Sequence, residues 1–151
     1  MKIAGTNIAE VEAMPFDELL IWLNDVEKTS KKMAYIEQIN QLLYDVKRRV
    51  QCIIDLNLEY LTLGRSIPSL SSGEVQRVRL ANQLSCSLCG IVYILDEPCK
   101  GLHYRNIDSV ILASKSLVDK GNTVIAIEHN KQYISQANKI IELGPVGGPD
   151  G

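Results

Sequence analysis

Three short stretches place residues of the right type at the right spacing for phosphate chemistry. Asp96 and Glu97 stand side by side where the apolar run IVYILD, 91–96, comes to its end. In phosphoryl transfer such a pair divides the work. One carboxylate holds Mg²⁺, directly or through water, and the next orients and polarises an attacking water. The same pair before Pro98 also suits an ordinary turn. His129 closes a second apolar run, TVIAIE, 123–128, and a histidine there is within the range of roles that touch a terminal phosphate. His103, in GLHYRN, is the competing histidine and reads as a turn residue. In LSSGEVQR, 70–77, Ser71 is a natural N-cap and Glu74 lies three residues on, a capping box. A helix start of this kind exposes N–H groups and the positive end of the helix dipole, which accept phosphate. Gly73 lets another surface approach the backbone closely. A capping box also serves simply to start a helix, so this stretch alone decides nothing.

These residues need elements to hold them. The runs at 91–96 and 123–128 suit strands of a parallel sheet buried on both faces. Between them 105–119 has helical periodicity, with Ile107, Val110, Ile111, Ser114 and Leu117 on one side. Lys120-Gly121 is a helix stop. The result is a βαβ unit with parallel strands and a right-handed crossover. Asp96, Glu97 and His129 then project from one carboxyl edge, where ligands bind in open α/β sheets. A last short strand is expected over 139–143. Pro68 discourages helix just before 70–77, and Val75, Val78, Leu80 and Leu84 carry the helix that follows. The first part, to about Leu58, reads as helical. A short amphipathic segment at 15–26 presents Phe16, Leu19, Leu20 and Leu23. A longer helix presents Met33, Ile36, Ile39, Leu43, Val46, Val50 and Ile53 along one stripe.

The bulk composition bounds the class. The 151 residues are 46% apolar and 23% charged, the balance of an ordinary folded domain. The formal net charge of -2 shows no basic excess of the kind nucleic-acid binders carry, and the only basic run is 47–49. No stretch is long and apolar enough for a membrane span. The N-terminus lacks a signal core, so a cytoplasmic location is expected. Cys86 and Cys89 form a C-x-x-C, but Cys52 and Cys99 are isolated, and a structural zinc site usually needs two such pairs. No zinc site is expected.

Taken together, in this order and spacing, the stretches resemble an ABC ATPase. LSSGEVQR resembles the signature motif, IVYILDEP the Walker B strand with its following glutamate, CKGLH the D-loop region and IEHN the switch histidine. DLNLEYLTLGRSIPSLSSGEVQRVRLANQL, YILDEPCKGLHYRN, KGNTVIAIEHN and IIELGPVGGPDG narrow the resemblance to the UvrA family of bacterial nucleotide excision repair. It is dense over 55–151 and weaker over 2–23. It implies an α/β fold, a partial P-loop NTPase of ABC type, with a helical signature-type region at 1–58 and the C-terminal half of a nucleotide-binding domain at 59–151. It implies ATP and Mg²⁺ as cofactors. Asp96 would support Mg²⁺, Glu97 would activate the hydrolytic water and His129 would sense the γ-phosphate. Ser71, Ser72, Gly73, Glu74 and Gln76 would close over an ATP held mainly by a partner module. It implies a UvrB-like protein and damaged duplex DNA as partners of the whole assembly. Ser72, Cys99 and Lys100 depart from the family's usual small residues. No G-x-x-x-x-G-K-[ST] occurs in these residues, so the phosphate loop must come from elsewhere. The other reading is a non-catalytic module that docks on a full-length ABC partner and regulates it.

Overall fold

The computed structural model describes residues 2–30, 36–86 and 88–144. Eight elements follow one another: α1 Ile8–Ala13, α2 Phe16–Ser30, α3 Ile36–Ile54, α4 Ser72–Ser85, β1 Val92–Asp96, α5 Ile107–Asp119, β2 Thr123–Ile127 and α6 Lys131–Ile134. A single 3-10 turn at Ile67–Ser69, with Pro68 inside its first positions, precedes α4. Another at Tyr104–Asn106 leads into α5, so the α-helix begins two residues later than the periodicity suggests.

The first helices build their own core. Asn7 and Glu10 form a capping box that starts α1. Phe16, Leu19 and Leu23 of α2 meet Val11, Val50, Leu58 and Leu61 in one buried cluster. On α3 the expected stripe is only partly covered. Val50 is buried, Leu43 and Ile53 pack against the cluster, and Val46 faces solvent. Met33 lies outside the described residues.

The second core is the α/β one. Leu80, Ala81 and Leu84 of α4, Tyr93 and Leu95 of β1, and Ile107, Val110, Ile111, Ala113 and Leu117 of α5 form a single buried cluster with Leu56. Burying a side chain of this size stabilises by about 1.5–3 kcal/mol. Ile53 touches both clusters and joins them. Arg77, itself buried, donates to the carbonyls of Gly73 and Leu56 and ties α4 to the segment that follows α3.

β1 and β2 run parallel, with Asp96 opposite Ile127 and Val92 opposite Thr123. The turn into β2 uses Gly121 at φ +83, as the Lys-Gly stop requires. Buried Asn122 fixes that corner. Its Oδ1 accepts from the Ile91 N–H at 3.1 Å, and its Nδ2 donates to Leu117 and Leu88.

Two expectations are corrected. The strands are covered on one face only. Tyr93 and Leu95 turn to the helices, while Val92, Ile94, Ile125 and Ile127 are 57%, 70%, 51% and 59% exposed. This segment supplies one helical layer, α4 and α5, and a sheet needs two to bury both faces. Residues 139–143 form no strand: Ile140, Ile141 and Leu143 have neither a ladder nor an apolar neighbour layer, and all three are exposed. Among the described residues no helix is long and apolar enough to cross a membrane.

Candidate active site

Each part of the site is placed by a local rule. Ser71 caps α4: its side chain accepts from the Glu74 N–H, and the Glu74 carboxylate accepts from the Ser71 N–H at 2.7 Å. The start of the helix thus has the form its sequence suggests. The Glu74 side chain, however, is used inside the chain. It is buried, accepts a 2.8 Å hydrogen bond from the Tyr60 hydroxyl and has the Arg65 guanidinium at 3.7 Å. The backbone N–H of Ser71, then the Tyr60 hydroxyl, hold its carboxyl below the usual carboxylate range against a smaller opposing effect of burial. Ser71 and Ser72 remain exposed at the helix start.

Gly73 does permit a close approach, to its own chain. A Cβ built there would stand 3.1 Å from the Lys100 carbonyl oxygen. One turn along the helix, the Gln76 amide donates to the Asp96 carbonyl. The start of α4 therefore rests on the turn that follows β1.

That turn carries the carboxylates. Asp96 ends β1 with its side chain exposed. Glu97 adopts φ +45, a left-handed conformation that costs a side-chain-bearing residue about 1–2 kcal/mol. Its N–H donates to the Ile127 carbonyl at 2.9 Å, which continues the ladder one step past the strand. The turn closes when the Lys100 N–H donates to the Glu97 carbonyl at 2.9 Å. Glu97 Oε1 lies 3.8 Å from His129 Nδ1, and Glu97 Oε2 is paired with the Lys100 ammonium. The hydrogen bond from Lys100 and its charge hold the Glu97 carboxyl below its ordinary range, and the same pairing pushes Lys100 up. The His129 side chain is 80% exposed.

Glu128 has a part in the site that its place at the end of an apolar run does not announce. Its carboxylate, 3% exposed, accepts three backbone N–H groups: Cys99 at 2.9 Å, His129 at 2.6 Å and Asn130 at 2.7 Å. Burial pushes its pKa up, but these donors outweigh it and hold the group low. Glu128 thereby staples the turn after β1 to the loop after β2. Burial, reinforced by the Glu128 charge, pushes the neighbouring Cys99 thiol up to about 12, which leaves it inert. The alternation of β2 held a signal for this. Glu128 continues a strand whose even-numbered side chains, Val124 and Ala126, pack against the core.

Asp96, Glu97 and His129 thus gather at one edge, with Gly73 and Gln76 against the backbone of the same turn. Ser71, Ser72 and Glu74 lie around the helix start without a described contact to the carboxylates. The His103 ring lies against that of Tyr104, centroids 4.3 Å apart and planes tilted by 39°. Among the described residues no group of three His, Cys, Asp or Glu side chains gathers as a metal cage. Asp96 offers one exposed carboxylate, which suits a Mg²⁺ completed by phosphates and water.

A helical region leading through a capped helix to a parallel βαβ edge with Asp-Glu and His is part of an ABC ATPase α/β fold. The structure of UvrA2 from Deinococcus radiodurans superposes with a TM-score of 0.81 over 91% of this chain and 18% of that one, at 32% identity. UvrABC system protein A of Thermus thermophilus is 40% identical over 151 residues, and that of Rickettsia conorii 40% identical over 152. No protein-family model matches the chain. The whole chain aligns with these relatives and spans 16% of their length; it belongs to the UvrA family, as a segment of it.

Proposed function

We propose that this chain is the signature- and Walker B-bearing part of a UvrA-like repair ATPase, acting in nucleotide excision repair as part of a larger assembly. In this reading 1–58 is the helical signature-type region and 59–151 the C-terminal half of a nucleotide-binding domain. The supporting observation is the pairing of Asp96 with Ile127, which sets the Glu97 carboxylate 3.8 Å from His129 at one strand edge. Glu97, ionised and aimed by its turn, takes the role of the base that polarises the attacking water. His129, exposed beside it, meets the terminal phosphate. Asp96 and the nucleotide phosphates would hold Mg²⁺, which when bound offsets phosphate charge. Ser71, Ser72 and Gly73 present the start of α4 to an ATP carried by a module that supplies the phosphate loop. UvrB-like protein and damaged duplex DNA are partners of the assembly rather than of this segment, whose charge is -2. The uncovered apolar face of the sheet is where a complementary layer would sit.

The test is ATP turnover after assembly with a phosphate-loop module. Glu97→Gln is expected to stop hydrolysis and leave ATP binding intact. Unchanged turnover would overturn the assignment. It would favour the other reading, a docking module that regulates a full-length ABC partner, which the same exposed sheet face would also serve.

A further inference from the structure

The peptide group that joins Asp96 to Glu97 is held at both ends by different elements. Its carbonyl oxygen accepts from the Gln76 side chain on α4, and its N–H donates to Ile127 at the end of β2. The orientation of that peptide plane fixes φ of Glu97, which stands in the left-handed region at +45. A non-glycine residue persists there only where its surroundings over-determine it. A flip of the plane would lose both hydrogen bonds and take Glu97 out of its present φ, loosening the backbone from which its side chain reaches His129. The N–H bond belongs to the sheet and would form in any parallel pair extended by one residue. The carbonyl bond does not: it comes from a side chain two residues beyond the capping box of α4. Gln76 sits one helical turn after Gly73 and Ser72, and Gly73 rests on the Lys100 carbonyl of the same turn.

We propose that Gln76 is a positioning residue for Glu97, clamping the Asp96–Glu97 peptide plane and so coupling the start of α4 to the aim of the catalytic carboxylate. This rests on the proposed role of Glu97 as the base, and it differs from the expectation that Gln76 contacts nucleotide. A movement of α4 as its first turn closes on a neighbouring nucleotide would be felt at the carbonyl of Asp96, and through one peptide at Glu97.

Two measurements test it. The first uses the chain alone: amide hydrogen exchange of Glu97, followed by NMR. Gln76→Glu keeps the shape and the helix but removes the N–H donor, and Gln76→Ala removes the side chain. Both are expected to speed exchange at Glu97 by about tenfold, the effect of losing one hydrogen bond of about 1.4 kcal/mol, with exchange inside α5 unchanged. The second uses the assembled ATPase. Both variants are expected to lower kcat by about tenfold or more, as a misaimed group does, with KM for ATP within about twofold.

Unchanged exchange at Glu97 overturns the clamp whatever the enzyme does. A raised KM with unchanged kcat makes Gln76 a nucleotide contact and overturns the proposal. So does unchanged turnover in the Gln76 variants when Glu97→Gln abolishes it. If Glu97→Gln itself leaves turnover intact, the reading of the reaction has failed, and the exchange measurement still decides the clamp.

Discussion

The α-carbon of Gly73 faces the carbonyl oxygen of Lys100 so closely that a Cβ would come to 3.1 Å from it. Backbone therefore meets backbone between the first turn of α4 and the turn after β1. The Lys100 carbonyl belongs to a turn that the Lys100 N–H closes by donating to the Glu97 carbonyl at 2.9 Å. Gly73→Ala gains helix preference of about 0.5–1 kcal/mol and loses a comparable amount to the tight contact. Thermal melting should therefore show a midpoint within a few degrees of the parent. The strain falls on the turn that aims Glu97, so turnover of the assembled ATPase should drop by about tenfold or more. A large loss of stability with normal turnover would contradict the geometry.

Lys100 pairs with Glu97 and is the main reason its carboxyl titrates low. Removing the ammonium in Lys100→Ala raises that pKa toward the ordinary value. In the proposed role Glu97 must be ionised to act as a base, so the acid limb of the pH–rate profile should move to higher pH. Lys100→Arg, which keeps the charge, should leave the limb in place. Near neutral pH the carboxylate is ionised in every variant, so rates there should converge. An acid limb that Lys100→Ala does not move would assign the limb to another group.

The geometry of the candidate site was legible in the sequence wherever it was local. The capping box needs only Ser71 and Glu74 at the right spacing, and both halves of it form. The βαβ unit follows from two apolar runs and one amphipathic helix, and its five core-facing positions, Ile107 to Leu117, are all buried. Contacts between elements were not legible. The spacing that makes Glu74 a cap says nothing of Tyr60, fourteen residues away, which turns its carboxylate inward. Gln76 reads as one of a string of signature residues until the fold lays it on Asp96. Glu128 reads as the end of a strand until three backbone N–H groups converge on it. Residues 139–143 have strand composition but no neighbour in this segment to pair with, and composition alone does not make a ladder.

Glu128→Gln tests the staple between the two loops. A carboxylate that accepts three N–H groups while almost fully buried is worth more than a neutral amide in the same place. The cost at neutral pH should be about 1–3 kcal/mol, read by denaturant unfolding. The sign with pH follows from the depressed pKa of the folded state. The advantage of Glu128 is fully present above its unfolded pKa, about 4.3, and is lost as pH falls through the folded value. The gap between parent and variant should therefore be constant near neutrality and close in acid. A gap that widens in acid would mean that Glu128 is held protonated.

The start of α4 offers a separable test, because its two acceptors have different surroundings. Ser71 is exposed, and its side chain makes one capping bond. Ser71→Ala should cost about 1 kcal/mol, the usual value of a lost N-cap. Glu74 is buried and serves the Ser71 N–H, the Tyr60 hydroxyl and the Arg65 guanidinium together. Glu74→Ala strips the acceptor from all three and should cost about 2–3 kcal/mol. Tyr60→Phe removes one donor while the ring remains, and should cost about 1 kcal/mol or less. If the hydroxyl acts through Glu74, the Tyr60→Phe change should add almost nothing on a Glu74→Ala background. Residues in direct contact show such non-additivity and distant ones do not. Additive losses would place the Tyr60 hydroxyl on another acceptor and would free Glu74 to face the nucleotide.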